Sequence, residues 1–339
     1  MLKFIDLFAG VGGMRMAFEN AGAQCVFSSE IDKFAAQAYF ANFGEMPHGD
    51  ITKIHASEIP PFDILIGGFH CQPFSSAGQG IKKTLGQKVG LECEKGNLFR
   101  EIVRILDHHK PVAFLLENVK NIRSIDQGRA FKTIMDALSD VGYNIKTEVL
   151  NAKYYVPQNR ERVFFAGFNK DMIDNYHEFK FPYFRPENLP KLKDVLETNP
   201  DDSFTLTDKA WEWQQKHKAR HCKEGRSGGY GYNFGNLESH ARTITTNVNK
   251  FLIQQENKNP RMLTPRECAR LQGFPESFKI VCSKTQAYKQ FGNSVAIPLV
   301  TDIARNLIDF INNNIIDQPT LQLQDLLLQI NKISSKSIV

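Results

Sequence analysis

The chain has 339 residues, 42% of them apolar, with a formal charge of +5 and a pI of about 8.7. This length suits about two domains, and the apolar content excludes global disorder. No apolar run of about 18 residues marks a membrane span. The opening Met1-Leu2-Lys3-Phe4-Ile5-Asp6 leads into a strand rather than a secretory signal, so a cytoplasmic location is expected.

Taken in order, Lys3 to Phe8 reads as a strand broken by "AGVGG", and Met14 to Gly22 as a helix with Gly22 as its C-cap. Ala23 to Ser29 is the next strand, closed by Glu30, and Asp32 opens a helix to Phe43. Asp63 to Ile66 is a strand leading into a glycine-flanked loop that carries Cys71. An amphipathic helix (Asn97 to His109), a buried strand (Pro111 to Val119) and a helix (Gly128 to Gly142) follow. The strand-like "YNIKTEVL" and "RVFFAGF" close the alternation at residue 168. Strands alternating with helices predict an α/β, Rossmann-like layer with a mainly parallel sheet, whose ligands sit at the carboxyl ends of the strands.

The alternation fades between about residues 170 and 260. From Asp208 to Lys250 there are eight Lys/Arg against four acids, a local charge of +4, which marks a second domain or large insertion. Order resumes at "TPRECARLQGFP", where Thr264 is a natural N-cap and Pro265 suits the first helical position. A further helix ends near Ile311, and the tail beyond is Gln/Leu-rich.

Four constellations carry chemistry. The glycine loop after the first strand has Glu30 20 residues past Gly10, as an adenosine-bearing cofactor requires for its ribose. The pattern G-x-G-G is not the dinucleotide fingerprint, and a structural turn with a surface acid would look the same. Asp50 of "GDI" could accept from an adenine amino group. Cys71 is an accessible thiol, a candidate nucleophile once ionised; the plainer alternative is a small buried hydrophobe. Glu117 ends an apolar strand on the same rim and could act as an acid, or merely cap a turn. Arg160 and Arg162 alternate with Glu161 in an extended segment, so their guanidiniums share a direction and suit a phosphate or carbonyl oxygen, or a solvated ion-pair ladder. The six cysteines contain no C-x-x-C pair and no zinc spacing, so neither a disulfide scaffold nor a metal is expected.

In this order, "FIDLFAGVGG", Glu30, "GD", "GGFHCQPFS", "ENV", "QNRER", "TPRECARLQGFP" and "QAYKQFGNSV" resemble the DNA cytosine-5 methyltransferases, in particular short bacterial modification enzymes. The resemblance covers residues 1 to 168 and 261 to 300. It implies S-adenosylmethionine as cofactor and a flipped cytosine of double-stranded DNA as substrate. Cys71 would attack carbon 6, Glu117 would serve ring nitrogen 3, Arg162 the base carbonyl, and Arg160 the phosphates or the loop. Phe8, Gly10 and Gly12 would surround the methionine part, Glu30 the ribose and Asp50 the adenine, with Asn293 and Ser294 completing the pocket. It further implies a discontinuous catalytic domain (1–168 and 261–316), a target-recognition domain (169–260) and a tail (317–339), acting as a monomer. "GYGYNFGN" and "ARTITTN" look like segments that read short sites with two adjacent cytosines.

Three features depart from the family pattern. His70 stands where proline usually precedes the nucleophile, the 79–95 loop is long with Lys95 in an arginine position, and the tail maps to no motif. They keep two rivals in view: a tRNA cytosine methyltransferase and a DNA-binding homologue impaired in catalysis. A dithiol oxidoreductase would need Cys93, 22 residues from Cys71, as its resolving thiol.

Overall fold

The computed structural model describes residues 1–69, 97–223, 232–246 and 251–315. Strand β1 (Lys3–Leu7) is followed by α1 (Gly13–Asn20), β2 (Gln24–Ser29), α2 (Lys33–Phe43) and β3 (Ile64–Gly68). Then come α3 (Asn97–His109), β4 (Ala113–Val119), α4 (Arg129–Asp140), β5 (Tyr143–Asn151), the short β6 (Gln158–Asn159) and β7 (Glu161–Asn169). Asp32 caps α2 by accepting from Phe34 N at 3.0 Å and Ala35 N at 3.1 Å, which satisfies two of the donors a helix start leaves open.

Six strands form the central sheet in the order β2-β1-β3-β4-β7-β5. β2, β1, β3 and β4 pair in parallel, whereas β7 runs antiparallel to both β4 and β5. The β2-β1-β3-β4 part is parallel as expected, and β7 is the exception for a physical reason. No crossover helix separates β5 from β7, only a 3-10 turn and the short β6, and a short link can only reverse the chain. The strands alternate between two cores. Phe4, Ile64, Ile66 and Leu115 face one, and Ile5, Leu7, Leu65 and Leu116 face the other, as the period of two requires. Ile102, Ile105 and Leu106 of α3, with Ile134 and Leu138 of α4, fill the second core.

Beyond β7 the chain forms α5 (Asp208–Lys223) and the short strands β8 (Asn233–Phe234), β9 (Ala241–Arg242), β10 (Phe251–Ile253) and β11 (Arg261–Met262). It then returns as α6 (Pro265–Leu271), α7 (Lys284–Asn293) and α8 (Ile297–Asn314). Ile303, Leu307 and Ile311 of α8 are buried in the same core as Phe4 and Phe18, and α8 packs along α1. The N-terminal loop and the C-terminal helices are therefore built around one hydrophobic core. Among the described residues, no helix is long and apolar enough to cross a membrane.

Glu267 locks this return. It is 0% exposed and takes a bidentate pair from Arg261 at 2.8 and 2.8 Å. It also accepts from Thr264 N at 2.8 Å, completing the capping box of α6, and from Glu197 N at 2.9 Å. Glu267→Gln turns part of an acceptor-only group into a donor facing these N–H groups and leaves the buried Arg261 charge without its counter-charge. Urea denaturation should show a loss of about 3–5 kcal/mol; a change within about 0.5 kcal/mol would contradict this role.

Candidate active site

The loop after β1 takes a conformation most residues avoid. Phe8 has φ 58°, Gly10 φ 57° and Gly12 φ 84°, all in the left-handed region. For a phenylalanine this strain is of order 1–3 kcal/mol and is typical of ligand clamps. Glu30 pins the loop, accepting from Gly10 N and Asp32 N at 2.7 Å each. Burial raises the Glu30 pKa, and these N–H groups oppose the rise. From the far end of the sequence, "GNSV" presses onto the loop so closely that a Cβ on Gly13 would lie 2.5 Å from Ser294 Oγ.

Asp50 sits one strand end away. Its Oδ1 accepts from the Thr52 hydroxyl at 2.7 Å and Thr52 N at 3.0 Å, and the hydroxyl bond is the main cause of its lowered pKa. Between Glu30 and Asp50 the side chain of Ile31 stands 73% exposed, an apolar face flanked by two acids.

Further along the same carboxyl-end rim, beyond β3, stand Glu117 and Arg162. β4 and β7 pair antiparallel with Glu117 opposite Phe164 and Val119 opposite Arg162, which puts both side chains on one face. Arg162 Nε lies 2.9 Å from Glu117 Oε1, an ion pair by distance that lacks hydrogen-bond alignment, since that oxygen has no hydrogen-bond partner. Asn118 Nδ2 donates to Phe69 O at 3.0 Å, fixing the start of the cysteine loop beside Glu117. Gly67 lies tight against β1, where a Cβ would come 2.9 Å from Leu7 O, and a Cβ on Gly68 would meet Glu117 Oε2 at 3.4 Å.

Arg160, expected on the phosphates or the loop, points its guanidinium at backbone carbonyls. It is 2% exposed and donates to Ile244 O at 3.3 Å, to Gly292 O at 3.2 Å and to Ser294 O. Burial, then the neighbouring Arg162, push its pKa down, and Glu117 opposes them. Its guanidinium is spent on carbonyls that hold three chain segments together.

These groups surround one cavity of about 790 Å³. Phe8, Gly10, Glu30, Asp50, Glu117, Arg160, Arg162, Asn293 and Ser294 line it. Gly12 does not: it precedes α1 as its N-cap, with the Phe43 ring against its α carbon. Cys71, His70, Cys93 and the loop to Lys95 lie outside the described residues. Phe69 and Leu98, on either side of that segment, line the cavity. Three described cysteines are held as thiols by burial: Cys25, pushed up to about 12, Cys268 and Cys282.

The model of the C-5 cytosine-specific DNA methylase family matches residues 2–309. The chain belongs to that family. It is 46% identical over 319 residues to the Type II methyltransferase M1.ScrFI of Lactococcus lactis subsp. cremoris, covering 92% of this chain and 79% of the relative. With the Type II methyltransferase M.NlaX of Neisseria lactamica it shares 47% over 317 residues, 91% of this chain and 96% of the relative. The solved structure of S. pombe Dnmt2 methyltransferase superposes with a TM-score of 0.70 at 21% identity, over 92% of this chain and 100% of that one. That likeness shows the fold.

The sequence reading of this methylase missed several cavity residues, among them Ile31, Asn118, Gln286 and Lys289. It also missed Asp6, whose only signal is an acid inside an apolar run. Asp6 is 1% exposed and its Oδ2 has no hydrogen-bond partner. Burial raises its pKa from 3.8 to about 8 against the pull of Arg15. Between these pH values the unfolded chain has lost this proton and the folded chain keeps it, so the group's contribution to stability falls as pH rises. Urea denaturation of Asp6→Asn should therefore show the stability difference moving in the variant's favour from about pH 5 to pH 8; a flat difference contradicts the assignment.

Proposed function

We propose that this chain transfers a methyl group from S-adenosylmethionine to carbon 5 of a cytosine flipped out of a short, specific site in double-stranded DNA. The reading makes it a DNA (cytosine-5-)-methyltransferase, the modification half of a restriction-modification system, acting as a cytoplasmic, nucleoid-associated monomer. The observation that carries it is one cavity with a pinned glycine loop and Glu30 at one end and the Glu117–Arg162 pair at the other, in a chain of the C-5 cytosine-specific family.

The residues present fit the cofactor. Phe8 and Gly10 form a strained cradle, Glu30 keeps free lone pairs for ribose hydroxyls, Ile31 offers an apolar face, and Asp50 suits an adenine amino group. Bound there, S-adenosylmethionine supplies an electrophilic methyl group. The protein's task is to make carbon 5 nucleophilic. The Cys71 thiolate adds to carbon 6, and the electron pair of the 5,6 double bond moves onto carbon 5. Glu117 holds a proton at ring nitrogen 3, and Arg162 donates to the carbonyl oxygen, both stabilising charge that develops during attack. Once carbon 5 carries the methyl group, a water molecule takes the carbon 5 proton; the freed electron pair re-forms the 5,6 double bond, and the carbon 6–sulfur pair leaves on sulfur, restoring the thiolate and the aromatic ring. Flipping is required because these atoms are stacked inside a duplex. Arg160 is a positioning residue in this scheme, keeping "GNSV" against the glycine loop. Residues 1–168 and 261–316 form the catalytic domain, and 169–260 form the target-recognition domain.

The test is bisulfite sequencing of DNA from a host without cytosine methylation that expresses this chain or Cys71→Ser. Protected cytosines in one short context, lost entirely in the variant, are expected. Full protection with Cys71→Ser sinks the nucleophile, and no protection with soluble wild-type protein sinks the DNA reading in favour of tRNA or a binding-only role.

A further inference from the structure

Helix α5 lies in the basic insertion and shows two opposed faces. On one, the Trp211 ring packs against Tyr232 with centroids 4.7 Å apart, and Lys218 Nζ sits 4.2 Å above the Tyr232 ring. Asn259 Nδ2 ties the helix start through Asp208 Oδ1 at 2.6 Å. Residues 211 and 218 are two turns apart, so this face anchors the helix.

The opposite face carries Lys209, Trp213, Lys216 and Arg220, all exposed. Their spacing of four, three and four residues keeps them within about 60° of one another at 3.6 residues per turn. Trp213 is 60% exposed and stacks on His217, with centroids 4.9 Å apart. Lys216 is paired to Glu212 at 2.6 Å, but both side chains are mostly in water, where such a pair holds little energy. Among the described residues, Lys209 and Arg220 have no acidic partner. An indole held out in solvent between three cations has no role in the core.

We propose that this stripe is a docking surface for the DNA backbone, with Lys209, Lys216 and Arg220 on successive phosphates and Trp213 packed against sugar and phosphate between them. The proposal rests on the functional reading above and deepens it. The three cations span about 16 Å of helix at 1.5 Å per residue. Duplex DNA offers a charge for about every 1.7 Å of its axis, so the partner is dense enough to engage all three. Contacts to phosphates carry no sequence information, so the stripe adds affinity and encounter rate without sequence preference.

The experiment measures binding of the full chain to a random-sequence fluorescent duplex across a salt series. It also measures methyl transfer to unmethylated plasmid DNA. Wild type is compared with the combined Lys209→Gln, Lys216→Gln, Arg220→Gln variant. The slope of log affinity against log salt should fall by roughly 2 to 3, since each lost phosphate contact removes about 0.9. KM for plasmid should rise roughly tenfold with kcat unchanged. Glu212→Gln, which releases Lys216, should tighten binding. In Trp211→Phe, Trp213 is the remaining tryptophan of the two in the chain, and its emission should change when the duplex is added. A variant that keeps the wild-type slope and KM overturns the inference, and leaves the stripe to a protein partner. A fall in kcat with unchanged slope overturns it too, because the residues would then act on the fold or the active site. Wild-type protein that neither binds nor methylates DNA overturns the functional reading and the inference together, whereas the first two results leave methylation intact.

Discussion

The cavity depends on a buried positive charge between strands. Arg160 joins Ile244, Gly292 and Ser294, which lie 84, 132 and 134 residues further along the chain. Burying a guanidinium costs several kcal/mol, and hydrogen bonds from a charged donor return roughly 1.5–3 kcal/mol each. The sum is near balance, so the arginine adds little net stability. What it supplies is arrangement: without three carbonyls turned toward it the charge would be stranded. Gln158 extends the same joint, donating to Leu271 O at 2.8 Å and accepting from Ile244 N at 3.0 Å. Gln272 then donates to Phe291 O at 2.7 Å. The insertion and the C-terminal helices are thus keyed to the end of the central sheet by buried polar groups.

That joint places "GNSV" against the glycine loop and so closes that end of the cavity. The other end is set by strand register. β4 is parallel to β3 and antiparallel to β7, which brings Glu117, Arg162 and the start of the cysteine loop to one rim. The electrostatics differ between the ends. Asp6 is buried and Glu30 half-buried, and desolvation raises the pKa of both, while Glu117 faces a guanidinium. The carboxyl groups with raised pKa thus lie at the glycine-loop end of the cavity, and the carboxyl paired to a guanidinium lies at the other.

Much of the central fold is legible in the sequence, because apolar runs with period two and amphipathic helices report burial directly. Asp32 and Thr264 announce their helices by capping chemistry. The reversal of β7 is less visible, since it follows from the absence of a helix and β6 is only two residues long. The candidate site was legible as motifs at strand ends: nine of its residues meet at one cavity. Local pattern fails where a role depends on distant partners. Arg160 and Arg162 look equivalent as alternate residues of a strand, yet one is sealed under three carbonyls and the other borders Glu117. Gly12 reads as part of the cofactor loop, but Phe43 covers it and it serves the start of α1. Asp6 reads only as an acid inside an apolar run until the structure shows it sealed from water with Oδ2 unpartnered. The α5 stripe is visible only as a charge surplus until the structure shows which face Trp211 has taken.

The central claim is that this cavity brings a cytosine to the Cys71 sulfur. It is tested most directly by trapping that bond. In duplex DNA made with 5-fluorocytosine, carbon 5 carries fluorine where a proton should leave, so elimination stalls with the carbon 6–sulfur bond intact. The chain would be incubated with this DNA and S-adenosylmethionine, digested, and its peptides weighed. The account predicts a methylated fluorocytosine nucleotide on the peptide containing Cys71. An adduct on another cysteine, or none from protein that methylates ordinary cytosine, would contradict it.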